Sequence, residues 1–313
     1  MESARVRPRV ALVGGAGLVG RALARALVKG GAFEPHVIDR QACELPGVRS
    51  HRADLLDADL APLFDGAAAV VHLAAQVDPP HPRARERMRR LHEEGTRRAV
   101  EAASRAGVSR FVLCSSAVVY GARPDNPVPL CEDHPARPNP DFPYAVDKAR
   151  QEQIALEHGA ALEVAIARPA IIYGREARSY LTEILRYSPG VLPAVDGRRP
   201  PLQFVHVGDV ARALAALAAS RATGPFNVCP RDWLSFDEVA RLARARVVPV
   251  PRRLVAPLLD VAARVVPARA RVPSYVLDHL AYPFVLSGAR LEREVGFVPE
   301  RTSADAVVEM LRG

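Results

Sequence analysis

The sequence predicts an α/β fold built on a doubly wound parallel sheet, and three observations support this prediction. Short apolar segments typical of buried strands alternate with segments of helical periodicity through the first half of the chain. A glycine-rich turn joins the first strand to the first helix. The second half is less regular and concentrates proline and arginine in residues 189–201 and 247–273. Together these features predict a sheet covered on both faces and a smaller additional lobe.

The predicted elements follow from the spacing of apolar residues. Most of the strands are short apolar runs bounded by turn residues. They are Val10–Val13, His36–Asp39, Val48–Asp54, Ala69–Leu73, Phe111–Cys114, Val164–Ala167 and Phe204–Val207. The helices repeat apolar residues every three or four positions. They are Arg21–Lys29, Arg83–Ala106, Tyr144–His158, Val210–Ala219, Val239–Arg246 and the last ten residues.

Composition restricts the protein to few classes. With 49% hydrophobic and 25% charged residues, the 313-residue chain is globular rather than disordered. Its apolar runs are far shorter than the roughly 18 residues of a membrane span, and the first one meets Gly14 too soon for a signal peptide. We therefore expect no membrane partner.

Charge and cysteine content exclude two further kinds of site. The net charge is +8, but the arginines are dispersed and aromatic residues make up only 5%, so we expect no nucleic-acid partner. The four cysteines are widely spaced and form no CxxC motif, which favours a reduced cytoplasmic setting without a metal site.

The glycine-rich turn, Gly14 to Gly20, reads G-x-x-G-x-x-G. Glycines permit a tight turn and close backbone approach, and the following helix offers free N–H groups and a positive dipole end to a pyrophosphate. The strand–turn–helix context favours a dinucleotide site over an ordinary glycine-rich turn.

Asp39 ends the second strand, where a carboxylate can accept hydrogen bonds from both ribose hydroxyls of NAD and would repel the 2′-phosphate of NADP. Arg40 follows directly and could favour NADP, so we predict NAD with NADP as the less favoured alternative. Asp54 and Leu55 follow the third strand and are predicted to meet the adenine edge.

Tyr144 and Lys148 lie four residues apart and therefore share one face of a helix. Tyrosine, with an ordinary pKa of about 10, is a poor base at neutral pH, and a nearby ammonium lowers that pKa. Lys148 is one of only two lysines, beside Lys29, among 43 basic side chains. A lysine in that position indicates a role that needs an amine: assisting the tyrosine and binding the nicotinamide ribose.

Ser115 and Ser116 end the fifth strand, upstream of Tyr144. A serine hydroxyl there can orient a substrate oxygen and stabilise its developing charge.

With these residues assembled, the chain resembles the extended short-chain dehydrogenase/reductase family, the NAD-dependent epimerase/dehydratase group. The resemblance extends over nearly the whole length. Its motifs are the glycine turn, Asp54-Leu55, His72-Leu73-Ala74-Ala75, Gly95-Thr96, Ser115 to Gly121, Tyr144 with Lys148, Arg168-Pro169, Tyr173-Gly174, Phe204 to Asp209 and Arg290 to Pro299. By position in this pattern Ser116 matches the catalytic serine.

Three departures from the family pattern concern the substrate. His92 replaces a frequent Asn, Ile171 replaces an Asn of the sugar-nucleotide members, and Leu202-Gln203 replaces an Arg-Asp pair. The last two positions usually help to hold a nucleotide or diphosphate, so the replacements favour a less charged substrate. Four arginines could instead serve a phosphate: Arg175, Arg178, Arg198 and Arg199.

The resemblance implies a Rossmann-type fold with a dinucleotide-binding domain, residues 1–174 with a return segment 202–228. Residues 175–201 and 229–313 then form a smaller, mostly helical substrate-binding lobe. It implies catalytic roles for Ser116, Tyr144 and Lys148. The predicted cofactor-binding residues are Gly14, Gly17, Leu18, Val19, Gly20, Asp39, Arg40, Asp54, Leu55, Leu73, Ala74, Ala75, Tyr144, Lys148 and Pro169. The predicted substrate-binding residues are Ser116, Ala117, Ile171, Arg175 and Gln203.

The expected function is hydride transfer at a secondary alcohol or ketone carbon by an NAD(P)-dependent oxidoreductase or epimerase acting on a small molecule such as a sugar. One alternative is a ketone or aldehyde reductase, similar to a hydroxysteroid dehydrogenase, with an apolar substrate. Dehydration is disfavoured because Ala117 and Val118 stand where dehydratases of this family carry acidic residues. A dinucleotide-sensing regulatory protein is an alternative of another class. The resemblance also allows a homodimer formed through a helix pair.

Overall fold

The computed structural model describes residues 7–77, 82–158, 162–177, 190–265 and 272–312. Arg178 lies outside these residues, so its predicted role has no structural counterpart here. Within them, no helix is both long enough and apolar enough to cross a bilayer.

A seven-stranded parallel sheet forms the centre of the molecule. Its strands are β1 (Arg9–Val13), β2 (Glu34–Asp39), β3 (Arg49–Arg52), β4 (Ala67–His72), β5 (Arg110–Cys114), β6 (Glu163–Pro169) and β10 (Gly224–Val228). They lie in the order β10-β6-β5-β4-β1-β2-β3, so the direction of strand addition reverses between β1 and β4. Ligands of such sheets bind outside the carboxyl ends of the strands at this reversal.

Two short parallel pairs complete the strands, β7 (Ile171–Tyr173) with β9 (Phe204–His206) and β8 (Val191–Val195) with β11 (Arg246–Val250). The helices follow in chain order. They are α1 (Leu18–Gly30), α2 (Ala61–Phe64), α3 (Pro82–Arg105), α4 (Pro143–Glu157), α5 (Val207–Ala219), α6 (Phe236–Leu242), α7 (Arg252–Val265), α8 (Val276–Ala281), α9 (Ala289–Val295) and α10 (Ser303–Arg312). A 3₁₀ turn, Ala117–Tyr120, follows β5.

Alternate residues of the central strands enter two different cores, as the two-residue period of a strand requires. In β1, Val10 and Leu12 pack with the apolar faces of α1 and α5, whereas Ala11 and Val13 pack with α2, α3 and α4. The centre of the sheet is therefore buried on both faces, which explains why β1, β4, β5 and β6 are mostly apolar.

A third core belongs to the second half of the chain. Phe204, Phe236, Val239 and Leu277 are among its buried members, which come from β8, β9, α6, α8 and α10. The predicted fold class, a Rossmann-type doubly wound parallel sheet with a smaller, mostly helical C-terminal lobe, is confirmed.

The predicted helix Val239–Arg246 is wrong at both ends. The helix starts at Phe236, because Ser235 and Glu238 form a reciprocal capping box. It ends at Leu242, and residues 246–250 extend into β11 beside β8. Arg244, with φ at 50°, turns the chain between them.

Candidate active site

The turn between β1 and α1 packs tightly against the rest of the protein at Gly14 and Gly20 and leaves open space at Gly17. Gly14 has φ +78°, and a Cβ atom there would lie 2.5 Å from the Ala74 backbone. A Cβ atom at Gly20 would lie 2.5 Å from Gly15. At Gly17, by contrast, the nearest atom is the Gly14 carbonyl oxygen at 3.5 Å. The space in front of Gly17 is therefore available to another molecule.

Helix α1 presents its N-terminus to this space. Gly17 is its N-cap, no side chain caps its free N–H groups, and its first turn holds no acidic residue. Uncapped N–H groups and the positive end of the helix dipole suit an anion such as a pyrophosphate. The predicted residues Leu18, Val19 and Gly20 form this first turn.

Asp39 lies at the end of β2 and faces the glycine turn. Its carboxylate accepts hydrogen bonds from the N–H groups of Ala16 at 3.1 Å and Gln41 at 3.0 Å. A carboxylate has about four acceptor positions, so further hydroxyl groups can bind it. Arg40 is exposed, and its carbonyl oxygen accepts from Arg52 Nε at 3.1 Å.

The segment after β4 borders the same turn. The N–H of Leu73 donates to the Val13 carbonyl at 2.8 Å, which prolongs the sheet, and Ala74 packs against Gly14. Leu73, Ala74 and Ala75 thus lie beside the glycine turn, at the reversal of strand order.

Asp54 and Leu55 contact helix α3. The Asp54 carboxylate accepts from the N–H of Leu56 at 3.0 Å and from Arg87 at 3.2 Å. Leu55 is buried so closely under the helix that a Cβ atom at Gly95 would lie 2.8 Å from it. Asp54 therefore has protein partners on both oxygens.

Tyr144 and Lys148 project from α4 on one face. Lys148 is 2% exposed, its Nζ lies 5.7 Å from the centroid of the Tyr144 ring, and it donates to the Cys114 carbonyl at 2.8 Å. Burial lowers the pKa of Lys148, while Cys114, Glu152 and Asp147 act in the opposite direction. The amine is thus fixed beside the tyrosine and at the carboxyl end of β5.

The two serines after β5 have different surroundings. Ser115 is buried and donates to Glu152 at 2.5 Å. Ser116 is half-buried at the start of the 3₁₀ turn that lies against α4, and its Oγ accepts from the Val118 N–H at 3.4 Å. That bond uses a lone pair and leaves the Ser116 O–H group able to donate to a substrate.

The hydrogen bond of Ser115 to Glu152 is part of a larger network of buried polar and charged side chains. Arg168 of β6 binds Glu152 through three contacts of 2.6–3.2 Å and donates to the Tyr120 hydroxyl at 2.8 Å. That hydroxyl donates to Asn227 of β10 at 2.9 Å. The network joins α4 to β6 and β10 behind the site.

The predicted substrate-binding residues lie in different environments. Ile171 is half-buried in β7, and Arg175 is exposed. Pro169, which was predicted to bind the cofactor, ends β6 close by in the chain. Ala117 is 1% exposed. Gln203 is fully buried, and its side-chain amide binds the backbone of residues 230, 232 and 286. The polar atoms of Gln203 thus join loops of the protein.

The two further arginines proposed for a phosphate have partners on the smaller lobe. Arg198 lies over the Tyr282 ring, 5.0 Å from its centroid, and Arg199 pairs with Asp237 at 2.8 Å. Neither pairing involves residues of the glycine turn or of α4.

A cluster of aromatic side chains lies beside Tyr144 and was not predicted from the sequence. Phe142 lies 6.0 Å from the Tyr144 ring and stacks on Tyr275 at 4.5 Å, with an interplanar angle of 18°. His279 meets Phe142 edge-on at 5.6 Å. Nothing in the linear sequence pairs Tyr275 with Phe142, because the two residues are 133 positions apart.

The residues present fit a dinucleotide. The open face at Gly17, the uncapped N-terminus of α1 and the Asp39 carboxylate would hold a pyrophosphate and a ribose. Among the described residues, no cluster of three or more histidine, cysteine or acidic side chains is arranged to hold a metal ion.

Comparisons with known proteins agree with this geometry. The model of a protein family described as "NAD dependent epimerase/dehydratase family" matches residues 10–229. The chain is 30% identical over 277 residues to a dTDP-glucose 4,6-dehydratase of Streptomyces griseus, covering 84% of this chain and 76% of that protein. It is 31% identical over 271 residues to a 3-diazoavenalumate denitrifying reductase of Streptomyces sp, covering 80% and 85%.

A solved structure shows the same architecture. It is a short-chain dehydrogenase/reductase superfamily protein from Agrobacterium tumefaciens with bound NAD, 25% identical, with a TM-score of 0.73 over 97% of this chain and 95% of that one. The chain therefore belongs to the NAD dependent epimerase/dehydratase family and is an NAD-dependent enzyme of the extended short-chain dehydrogenase/reductase type, which transfers hydride at an alcohol or ketone carbon.

Proposed function

We propose that this enzyme interconverts a secondary alcohol and a ketone without loss of water, with Tyr144, Lys148 and Ser116 as its catalytic residues. The observation that carries the proposal is the buried Lys148 ammonium beside the Tyr144 ring and at the end of β5. Ala117 and Val118, which follow Ser116, offer no acid or base for dehydration.

Each residue has a distinct task. The Tyr144 hydroxyl moves a proton to or from the substrate oxygen, and the Lys148 ammonium stabilises the phenolate that forms. The Ser116 O–H donates to the same substrate oxygen. Tyr144 and Lys148 would hold a nicotinamide whose chemistry, when bound, is to accept or supply the hydride. If the ketone leaves, the net reaction is dehydrogenation or reduction; if it stays and turns over, the net reaction is epimerisation.

The cofactor-binding residues of the proposal lie on the glycine turn and the strand ends around it. Gly14 to Gly20 hold the pyrophosphate, Asp39 the adenosine ribose, and Tyr144 with Lys148 the nicotinamide ribose. Leu73, Ala74, Ala75 and Pro169 border the cofactor. Asp54 and Leu55 have the weakest support, because their side chains already contact α3.

Two substrate classes are proposed. A sugar or sugar-like substrate is supported by the relative named dTDP-glucose 4,6-dehydratase. An apolar ketone is supported by the stack of Phe142 on Tyr275 beside Tyr144, and by half-buried Ile171 and buried Leu202 at positions that are polar in sugar-nucleotide members.

The lobe that selects the substrate is proposed to comprise residues 175–201 and 229–313, and the cofactor domain residues 1–174 with 202–228. The core around Phe236, Val239 and Leu277 supports this division, and Tyr173, Leu202 and Phe204 of the cofactor domain also pack in it. Phe284 and Leu286 pack instead in the core of the sheet and connect the two parts.

We further propose a homodimer in the cytoplasm. Helices α3 and α4 lie side by side, and α4 exposes Val146 and Leu156, which suits a helix pair from a second copy. Light scattering of the purified protein tests this. The four cysteines are free thiols, which suits a reducing compartment.

The reaction is tested by the Tyr144→Phe variant with NAD or NADH and a panel of nucleotide sugars, free sugars and aryl or alkyl ketones. We expect kcat to fall by about 10²–10⁴-fold because the proton donor is lost. NADH should still bind, because Lys148, Asp39 and the glycine turn remain. Tyr282→Phe, in the smaller lobe, is the matched control and should leave kcat unchanged. Equal turnover by Tyr144→Phe, or a product lighter by one water, contradicts the proposal.

A further inference from the structure

His92 joins helix α3 to the segment that follows β4. Its side chain is fully buried, and Nε2 lies 3.0 Å from the backbone nitrogen of Gln76. A backbone N–H can only donate, so Nε2 must be the unprotonated nitrogen. Nδ1 therefore carries the proton and donates to Asp147 Oδ2 at 3.0 Å. The two bonds together fix both the orientation and the tautomer of the ring.

Asp147 connects His92 to the catalytic helix. It is 2% exposed, lies three residues after Tyr144 and one before Lys148, and is also bound by Arg85 at 3.1 and 3.4 Å. The His92 ring meets the Tyr144 ring edge-on, with centroids 6.1 Å apart. One buried acid thus holds His92 in place from α4.

The other bond of His92 reaches the cofactor side. Gln76 follows Leu73, Ala74 and Ala75, and Ala74 is packed directly against Gly14 of the glycine turn. Ala75 and Gln76 are exposed, so buried packing contributes little to holding this end of the segment. The hydrogen bond from the Gln76 N–H to the buried His92 ring anchors this end of the segment.

We infer that His92 is a positioning residue that holds the segment Leu73–Gln76 against the dinucleotide site only while its ring is neutral. A protonated Nε2 bears a hydrogen and cannot accept from the Gln76 N–H, so the two N–H groups would repel each other. Acid therefore releases the anchor, and NADH binding weakens although His92 itself does not contact the cofactor.

The charged and titratable groups around His92 determine when this happens. Asp147 favours the protonated ring, whereas Lys148 and Arg85 oppose it. His72 of β4 is near enough to interact electrostatically with His92, and the Tyr144 ring meets the imidazole edge-on. Burial is the largest influence and lowers the pKa of His92. The change is therefore expected below the ordinary histidine value of about 6.5.

The test is the dissociation constant of NADH, measured by fluorescence titration from neutral to mildly acidic pH on wild type, His92→Asn and His92→Gln. We expect the wild-type constant to rise by up to about tenfold per pH unit below the pKa of His92. A carboxamide offers an acceptor and a donor without titrating, so at least one amide variant should bind normally at neutral pH and show no such rise.

Two further variants separate positioning from general acid damage. His158→Gln, near the end of α4, removes a histidine that bonds to the Ile154 carbonyl and should keep the wild-type profile. Asp147→Asn removes the carboxylate that fixes the tautomer and should raise the NADH dissociation constant already at neutral pH. Circular dichroism at each pH identifies the range in which every variant is folded.

A flat wild-type profile within the folded range, or the same acidic rise in both amide variants, overturns the inference. The measurement needs no substrate, so its failure leaves the proposed reaction untouched. Loss of turnover in Tyr144→Phe likewise does not bear on it.

Discussion

Gly17 differs from the other glycines of the turn in what surrounds it. At Gly14 and Gly20 a side chain would collide with the protein's own backbone, so these glycines are needed for folding. Gly17 has φ of −71° and open space in front of it, so a side chain there is compatible with the fold. Its glycine is explained by close approach of a ligand.

The variant Gly17→Ala should therefore separate binding from folding. We expect the NADH dissociation constant to rise by at least about tenfold, because the added methyl occupies the space next to the pyrophosphate. The free energy of unfolding should change by less than about 1 kcal/mol. Gly30→Ala, at the other end of α1 with nothing near its Cβ position, is the control for both measurements. Tight NADH binding by Gly17→Ala would contradict this account of the turn.

At the scale of single residues, the sequence is most informative where the proposed chemistry permits only one or two residue types. Lysine is scarce in this chain, and this scarcity singled out Lys148. Its side chain is buried beside Tyr144, as expected of an amine that assists the tyrosine. Phe142 and Tyr275 could not be paired from the sequence, because their stacking depends on how the smaller lobe packs on α4. Pairings of that kind have no local signal.

Helix α4 shows how one element serves both catalysis and stability. Tyr144, Lys148 and Glu152 recur every four residues on one face, and Glu152 ends this row in the ion pair with Arg168. Both charges are buried, so removing one leaves the other without compensation. The pair also fixes Ser115, because Glu152 accepts the Ser115 hydroxyl.

We predict that Glu152→Gln lowers the free energy of unfolding by about 3–5 kcal/mol, measured by urea denaturation, because Arg168 then stays buried without a counter-charge. The double variant Glu152→Met/Arg168→Met should recover most of that loss, since neither charge remains to be desolvated. Glu157→Gln, exposed on the last turn of the same helix, should cost less than about 0.5 kcal/mol. A single-variant loss as small as this control would mean that the pair contributes little.

Strand β10 is the one strand of the central sheet that the sequence did not predict, and its first two residues show why. Gly224 and Pro225 open this strand, and such residues in sequence indicate a turn rather than a strand. The strand lies at the edge of the sheet beside β6, where a missing N–H is tolerated. Of the other six strands, β1, β4, β5 and β6 are mostly buried apolar segments, so their local patterns sufficed.

On the scale of the whole molecule, histidines held neutral in the interior make its stability depend on pH. His72 is fully buried, and desolvation, with Lys148 and His92 nearby, lowers its pKa to about 3. Burial lowers the pKa of His279 to about 4, with Asp278 acting in the opposite direction. In the unfolded chain both should titrate near 6.5. The unfolded state then binds more protons than the folded state once the pH falls below that value.

The stability from these two residues is therefore complete above about pH 6.5 and is lost progressively as the pH falls toward their folded pKa values. We expect each histidine to lower the free energy of unfolding by about 2 kcal/mol between pH 7 and pH 5. Most carboxylates titrate below this range.

Urea denaturation across this range measures the slope of the free energy of unfolding against pH. His72→Gln, compared with wild type at each pH, should reduce the slope by the share of one histidine, whereas half-buried His158→Gln should not. The difference between the two proteins is the informative quantity, because burial raises the pKa of Glu132 and its contribution has the opposite sign. Equal slopes for wild type and His72→Gln would show that His72 does not remain neutral in the folded protein.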